Sequence, residues 1–178
     1  MSSTSAENTP DTGVVVAVRR FLDELPDKGG LAARIAEGRA VAEIVAPLGL
    51  PPEIIAAVHV YPAFRDGLVK QKELQNNNLS DISRYILGLE QLDQFTLPRH
   101  WQPGDALATR QSEALRKMLL AIVSDVRLVL VRIADQLYRL RSGKDASAEV
   151  REALALEARE IYAPLANRLG IWQLKWEL

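Results

Sequence analysis

The sequence predicts an all-α helical bundle, and three observations carry that expectation. Over residues 110–141, Leu115, Leu119, Ile122, Val126, Val129, Ile133, Leu137 and Leu140 recur at intervals of three and four, which places them on one helical face. No segment alternates apolar and polar residues as a half-buried strand would. Apolar residues make up 48% of the chain and aromatics only 6%, so Leu, Ile, Val and Ala must fill the core.

The elements follow in order. Residues 1–13 are small and polar and read as a disordered tail. A first helix over 14–25 ends at Pro26, and Lys28-Gly29-Gly30 forms a loop. A helix over 31–48 carries Leu31, Ile35, Val41, Ile44, Val45 and Leu48 at helical spacing, with a gap near Gly38. Pro52 and Glu53 suit the first turn of a third helix, which Pro62 should interrupt at about Val60. A weaker helix covers 66–74, and Asn76-Asn77-Asn78 is a turn. Ser80 should cap a helix over 81–95 that presents Ile82, Tyr85, Ile86, Leu89 and Leu92 on one face. Residues 98–104 connect it to the strongly periodic segment, where Ser124-Asp125 can restart the helix. Leu128, Val131 and Tyr138 add a second apolar stripe there, as in a helix deep inside a bundle. Gly143 reads as a C′ residue, Ser147 as the cap of a last long helix, Pro164 as a kink, and Gly170 marks the end.

Composition narrows the function. The formal charge of −1 argues against a surface for nucleic acid. The chain has no Cys, which excludes disulfides and thiol catalysis and suits a cytoplasmic setting. No apolar run approaches the length of a membrane span. The only histidines are His59 and His100, too few for a rich metal site. His59 lies among Ile55, Ala56, Val58 and Val60 and reads as a hydrogen-bonded packing residue; His100, in a loop, is assigned nothing. No phosphate-binding glycine loop is present. Asp135 falls on the second apolar stripe and needs a partner, a metal or a proton. Arg132 at i−3 or Arg139 at i+4 would pair with it; the alternative is a former metal ligand.

The segments EALRKMLLAIVSDVRLVLVRIADQLYRLRSGKDAS and EIYAPLANRLGIWQLKWEL resemble the N-terminal half of the long RelA/SpoT homologues, bacterial enzymes that make and break ppGpp. The likeness is dense from about residue 110 onward and looser over 31–95. It implies an HD-domain-like helical bundle. Active members hold manganese with a His, a His-Asp pair and a distant Asp, and remove the 3′-pyrophosphate of ppGpp with a metal-activated water. Carried over by position, the first His falls on Glu37 and the His-Asp pair on Tyr61-Pro62. The water-activating Glu-Asp pair falls on Arg65-Asp66. The distant Asp is Asp135, within IADQLYRLRS, where the family's His, Asn and Thr become Tyr138, Arg139 and Ser142. Sliding the register by two to recruit His59 would put Val60 in place of the Asp and break the match at Leu50 and Pro51.

The resemblance therefore implies a degenerate site with no catalytic residue and no metal, manganese having been lost. This is the pattern of the RelA branch, whose members are GTP pyrophosphokinases with a pseudo-hydrolase domain. Residues 14–170 would be that domain and 171–178 the start of a hinge. The chain ends on an apolar run, with Trp172 and Trp176 sharing a helical face, and so reads as the N-terminal piece of a longer protein. Ile171, Trp172, Leu174 and Trp176 would contact a downstream synthetase domain; the same Trp face also suits a homodimer. The expected role is structural and regulatory, in the stringent response. The alternatives are a residual manganese-dependent hydrolase built on Glu37 and Asp135, or a ppGpp-sensing pocket using Arg65, Arg139 and Arg141. Those arginines would otherwise be solvated or paired with Asp66 and Asp135.

Overall fold

A computed structural model describes residues 12–94 and 125–171. All regular structure among the described residues is helical. The described residues up to Ile86 form one compact unit and those from Leu87 onward a second.

In the first unit, α1 (Gly13–Glu24) buries Val15, Val18, Phe21 and Leu22, a single stripe at helical spacing. α2 (Leu31–Val45) tightens into a 3₁₀ turn at Ala46–Leu48, so the predicted span is met with a narrower last turn. α3 (Pro52–Arg65) is the core element. Every residue from Ile54 to Ala63 is buried, and both α1 and α2 pack on it. A helix apolar on all sides has to sit inside, and Pro52 and Glu53 open it as expected.

Pro62 does not interrupt α3, contrary to the sequence expectation; the helix continues to Arg65. Proline removes one backbone donor and crowds the preceding turn. Burial of the residues on both sides of it, among them Val58, Val60, Tyr61 and Ala63, outweighs that loss. The weaker helix expected over 66–74 is also corrected. Asp66 is the C-cap of α3, and Gly67 turns the chain at φ 73°. Gly67 N–H bonds to Phe64 O at 2.9 Å and Leu68 N–H to Ala63 O at 2.9 Å, a Schellman closure. α4 (Gln71–Asn76) starts only at Gln71, with Glu73 accepting from Lys70 N–H at 2.7 Å. The Asn turn forms as predicted, with Asn78 left-handed at φ 58°. Ser80 lies within a 3₁₀ turn, Ser80–Ile82, and does not cap α5 (Ser83–Asp93), which continues into the second unit.

The gap in the α2 pattern has a packing cause. A Cβ on Gly38 would lie 2.4 Å from the carbonyl oxygen of His59, so α2 and α3 touch backbone to backbone there. Only glycine permits that approach.

In the second unit, Asp125 accepts from Arg127 N–H at 3.0 Å just before α6 (Arg127–Ser142); Ser124 and the break expected there lie outside the described residues. The periodic residues before it, and the 98–104 loop with His100, lie outside the described residues. α6 is buried without a break from Val131 to Leu137. Gly143 is not a left-handed terminator: its φ is −78°, and the chain continues into a 3₁₀ turn, Gly143–Asp145. Ser147 caps α7 (Ala148–Glu157) by accepting from Val150 N–H at 3.4 Å. Near Pro164, where a kink is expected, a π turn at Ala158–Tyr162 lies immediately before α8 (Ala163–Arg168). Ala163 N–H bonds back to Ala158 O, one residue further than an α-helical bond. Gly170, at φ 72°, closes α8 with Ile171 N–H on Ala166 O at 3.0 Å. Trp172, Leu174 and Trp176 lie outside the described residues.

Gly38→Ala should lower the urea midpoint by the equivalent of about 2–3 kcal/mol, because the added methyl meets backbone that cannot rotate away. An unchanged midpoint would disprove the contact.

Candidate functional site

The first unit brings together Glu37, Arg65 and Asp66, three of the positions singled out in the sequence. Glu37 lies on the face of α2 that meets α3, and its side chain is only 7% exposed. A carboxylate so placed must find positive charge. Arg65, in the last turn of α3, donates from Nη2 to Glu37 Oε1 at 3.0 Å. Arg34, one turn earlier on α2, donates to Glu37 Oε2. Both arginines then reach Asp66: Arg34 Nε lies 3.1 Å from Oδ2 and Arg65 Nε 3.3 Å from Oδ1. Among the described contacts, these four side chains form a ring of alternating charge. Arg34 was missed in the sequence, although its i,i+3 spacing to Glu37 is a recognised helical pairing. Tyr61 and Pro62 are buried on α3 in the same unit.

His59 also lies here, 1% exposed. It is a packing residue, as expected, but not a hydrogen-bonded one: neither ring nitrogen has a partner among the described residues. Burial, reinforced by the positive charges of Arg19 and Arg39, pushes its pKa down from 6.5 to about 4. The imidazole is therefore neutral at pH 7.

The second unit holds Asp135, Arg139 and Ser142. Both pairings proposed for Asp135 occur. Arg132, 5% exposed, donates to Asp135 Oδ2, and Arg139 Nη2 lies 2.9 Å from the same oxygen. Asp93, at the end of α5, completes this cluster, with Oδ1 2.9 Å from Arg132 Nη1 and 4.0 Å from Arg139 Nη2. Asp93 was not found in the sequence, because no local spacing links α5 to α6. Arg132 also lies 6.0 Å from the ring centre of Tyr162, on the π turn. Burial raises the Tyr162 pKa, against the opposing pull of Arg132. Ser142 donates its hydroxyl to Tyr138 O at 2.9 Å, within its own helix.

The carboxylates at these positions are engaged by arginine. Glu37 and Asp135 each have two guanidinium groups on their carboxylate oxygens. No group of three His, Cys, Asp or Glu side chains among the described residues is placed to hold a metal.

The all-α architecture agrees with the comparisons: the HD domain family matches residues 20–172, and the chain belongs to that family. Among its relatives is a GTP pyrophosphokinase of Photobacterium angustum, 37% identical over 141 residues, covering 79% of this chain and 19% of the relative. A GTP pyrophosphokinase of Escherichia coli K12 is 33% identical over 141 residues, with coverage of 79% and 19%. A probable guanosine-3′,5′-bis(diphosphate) 3′-pyrophosphohydrolase of Synechocystis is 32% identical over 144 residues, with coverage of 81% and 18%. The homology to RelA/SpoT proteins expected from the sequence is thus supported, and the chain spans about a fifth of these relatives' length. No helix among the described residues is long and apolar enough to cross a membrane.

Two outcomes follow from this geometry. Asp135→Asn leaves the buried Arg132 short of countercharge and should cost about 3 kcal/mol in urea unfolding; a loss below about 1 kcal/mol would contradict the cluster's burial. The His59 shift fixes a pH dependence. The folded pKa lies below the unfolded one, so the stabilising difference is fully present above pH 6.5 and is lost as pH falls towards about 4. The loss should approach about 3 kcal/mol at the acid end, and His59→Leu should flatten that part of the profile. An unaltered slope in His59→Leu would exclude His59 as its source.

Proposed function

We propose that this chain is a hydrolase-like domain without hydrolase activity, acting structurally and in regulation on a (p)ppGpp synthetase domain of the same protein. The observation that carries this reading is the engagement of Glu37 by both Arg34 and Arg65. Metal-assisted hydrolysis needs carboxylates and imidazoles open to an ion, and a base to take a proton from the water. At the aligned positions stand an acid held by two cations, a phenol, a proline and an arginine. A guanidinium keeps its proton at any physiological pH and cannot act as that base. The relatives named GTP pyrophosphokinase support synthetase activity in the parent. The partner is then the downstream synthetase, met through Ile171, Trp172, Leu174 and Trp176, in the cytoplasm.

A second reading, residual ppGpp 3′-pyrophosphohydrolase, is favoured by the Synechocystis relative that carries the hydrolase name. A ppGpp-sensing pocket is less well supported, since Arg65 and Arg139 are already engaged by carboxylates.

The purified chain, incubated with ppGpp and manganese, should release no pyrophosphate, and manganese should not raise its melting temperature. Metal-dependent product would establish the second reading instead.

A further inference from the structure

Resting on that reading of the site, we propose that Arg34 and Arg65 are the resident cations of Glu37 and Asp66, an internal substitute for a divalent ion. Three observations support it. Each guanidinium touches both carboxylates, as a bridging ion would. The four side chains alternate in sign, so each carboxylate already faces two cations. The second unit repeats the construction at the other aligned carboxylate, where Arg132 and Arg139 both approach Asp135 and Asp93. Arginine suits this task because its planar fork meets two oxygens at once and is weakly hydrated.

The substitution has a chemical consequence. Glu37 and Asp66 offer carboxylate oxygens of the kind a divalent cation prefers, and Arg34 and Arg65 would compete with that cation for them. Removing the arginines should therefore expose an affinity that the native chain lacks. The loss of two positive charges also leaves Glu37 buried beside Asp66, so the variant should be less stable at neutral pH until a cation is supplied.

The test uses the 178-residue chain and its Arg34→Gln/Arg65→Gln variant, read by thermal melting and by manganese electron paramagnetic resonance, with manganese chloride as the probe. The wild type should melt at the same temperature with and without manganese. The double variant should melt lower and regain about 3–5 °C in ~10 mM manganese. Adding Glu37→Gln to the double variant should abolish that gain and the bound-manganese signal. If the double variant does not fold, Arg65→Gln alone is measured against Arg65→Gln/Glu37→Gln, with the same expected contrast. A folded variant indifferent to manganese, beside a wild type that does not turn over ppGpp, overturns this inference alone. Turnover of ppGpp by the wild type, or its stabilisation by manganese, overturns the inference and the functional reading together.

Discussion

Glu37 sits beside a point of backbone contact between α2 and α3. Its neighbour Gly38 brings the α2 backbone against His59 of α3, which leaves the Glu37 carboxylate nearly dry. A negative charge in that position is tolerated only with positive charge beside it, and Arg34 and Arg65 supply it from the two helices concerned. Packing and electrostatics are thus coupled at one point. The glycine sets the helix separation, the separation buries the acid, and the acid fixes both arginines. Such a cluster adds little net stability relative to an apolar replacement, but losing one member is costly. Its effect is therefore to specify how α2 and the end of α3 meet.

The same coupling explains why α3 tolerates Pro62. The helix must extend to Arg65 for the guanidinium to reach Glu37, and buried neighbours hold the turn together without the missing donor. Only after Arg65 does the chain turn, through Gly67. A helix that stopped at Val60 would not present Arg65 from the same rigid element.

Periodicity made most of the fold legible. The spans of α1 and α2, the start of α6 near Asp125 and the Ser147 cap are local signals, found close to where the residues place them. Of the α2 stripe, however, only Leu31, Val41 and Val45 are buried, while Ile35, Ile44 and Leu48 are half-buried. The misplaced boundaries share a cause. At Pro62 and over 66–74, local propensity was overridden by burial or by a backbone closure that spans several residues. The clusters divide in the same way. Arg132–Asp135 and Asp135–Arg139 obey helical spacing, and so does the overlooked Arg34–Glu37 pair. Arg65–Glu37 and Asp93–Arg132 join different helices, so only the folded chain reveals them. The unsatisfied nitrogens of His59 belong to this second kind, since a hydrogen-bond vacancy depends on every neighbour at once.

A guanidinium and a divalent ion can both neutralise a pair of carboxylates, but they differ in what else they do. The ion concentrates its charge, keeps a coordination position for water and lowers the pKa of that water. The guanidinium spreads one charge over a planar group, uses its donors on the oxygens it meets and activates nothing. Where arginines hold a pair of carboxylates, as Arg34 and Arg65 hold Glu37 and Asp66, the charge is balanced without the means of making a nucleophile. The choice of cation also changes the dependence of the fold. A metal-held site is stable only while the ion is supplied, whereas arginines encoded in α2 and α3 are always present.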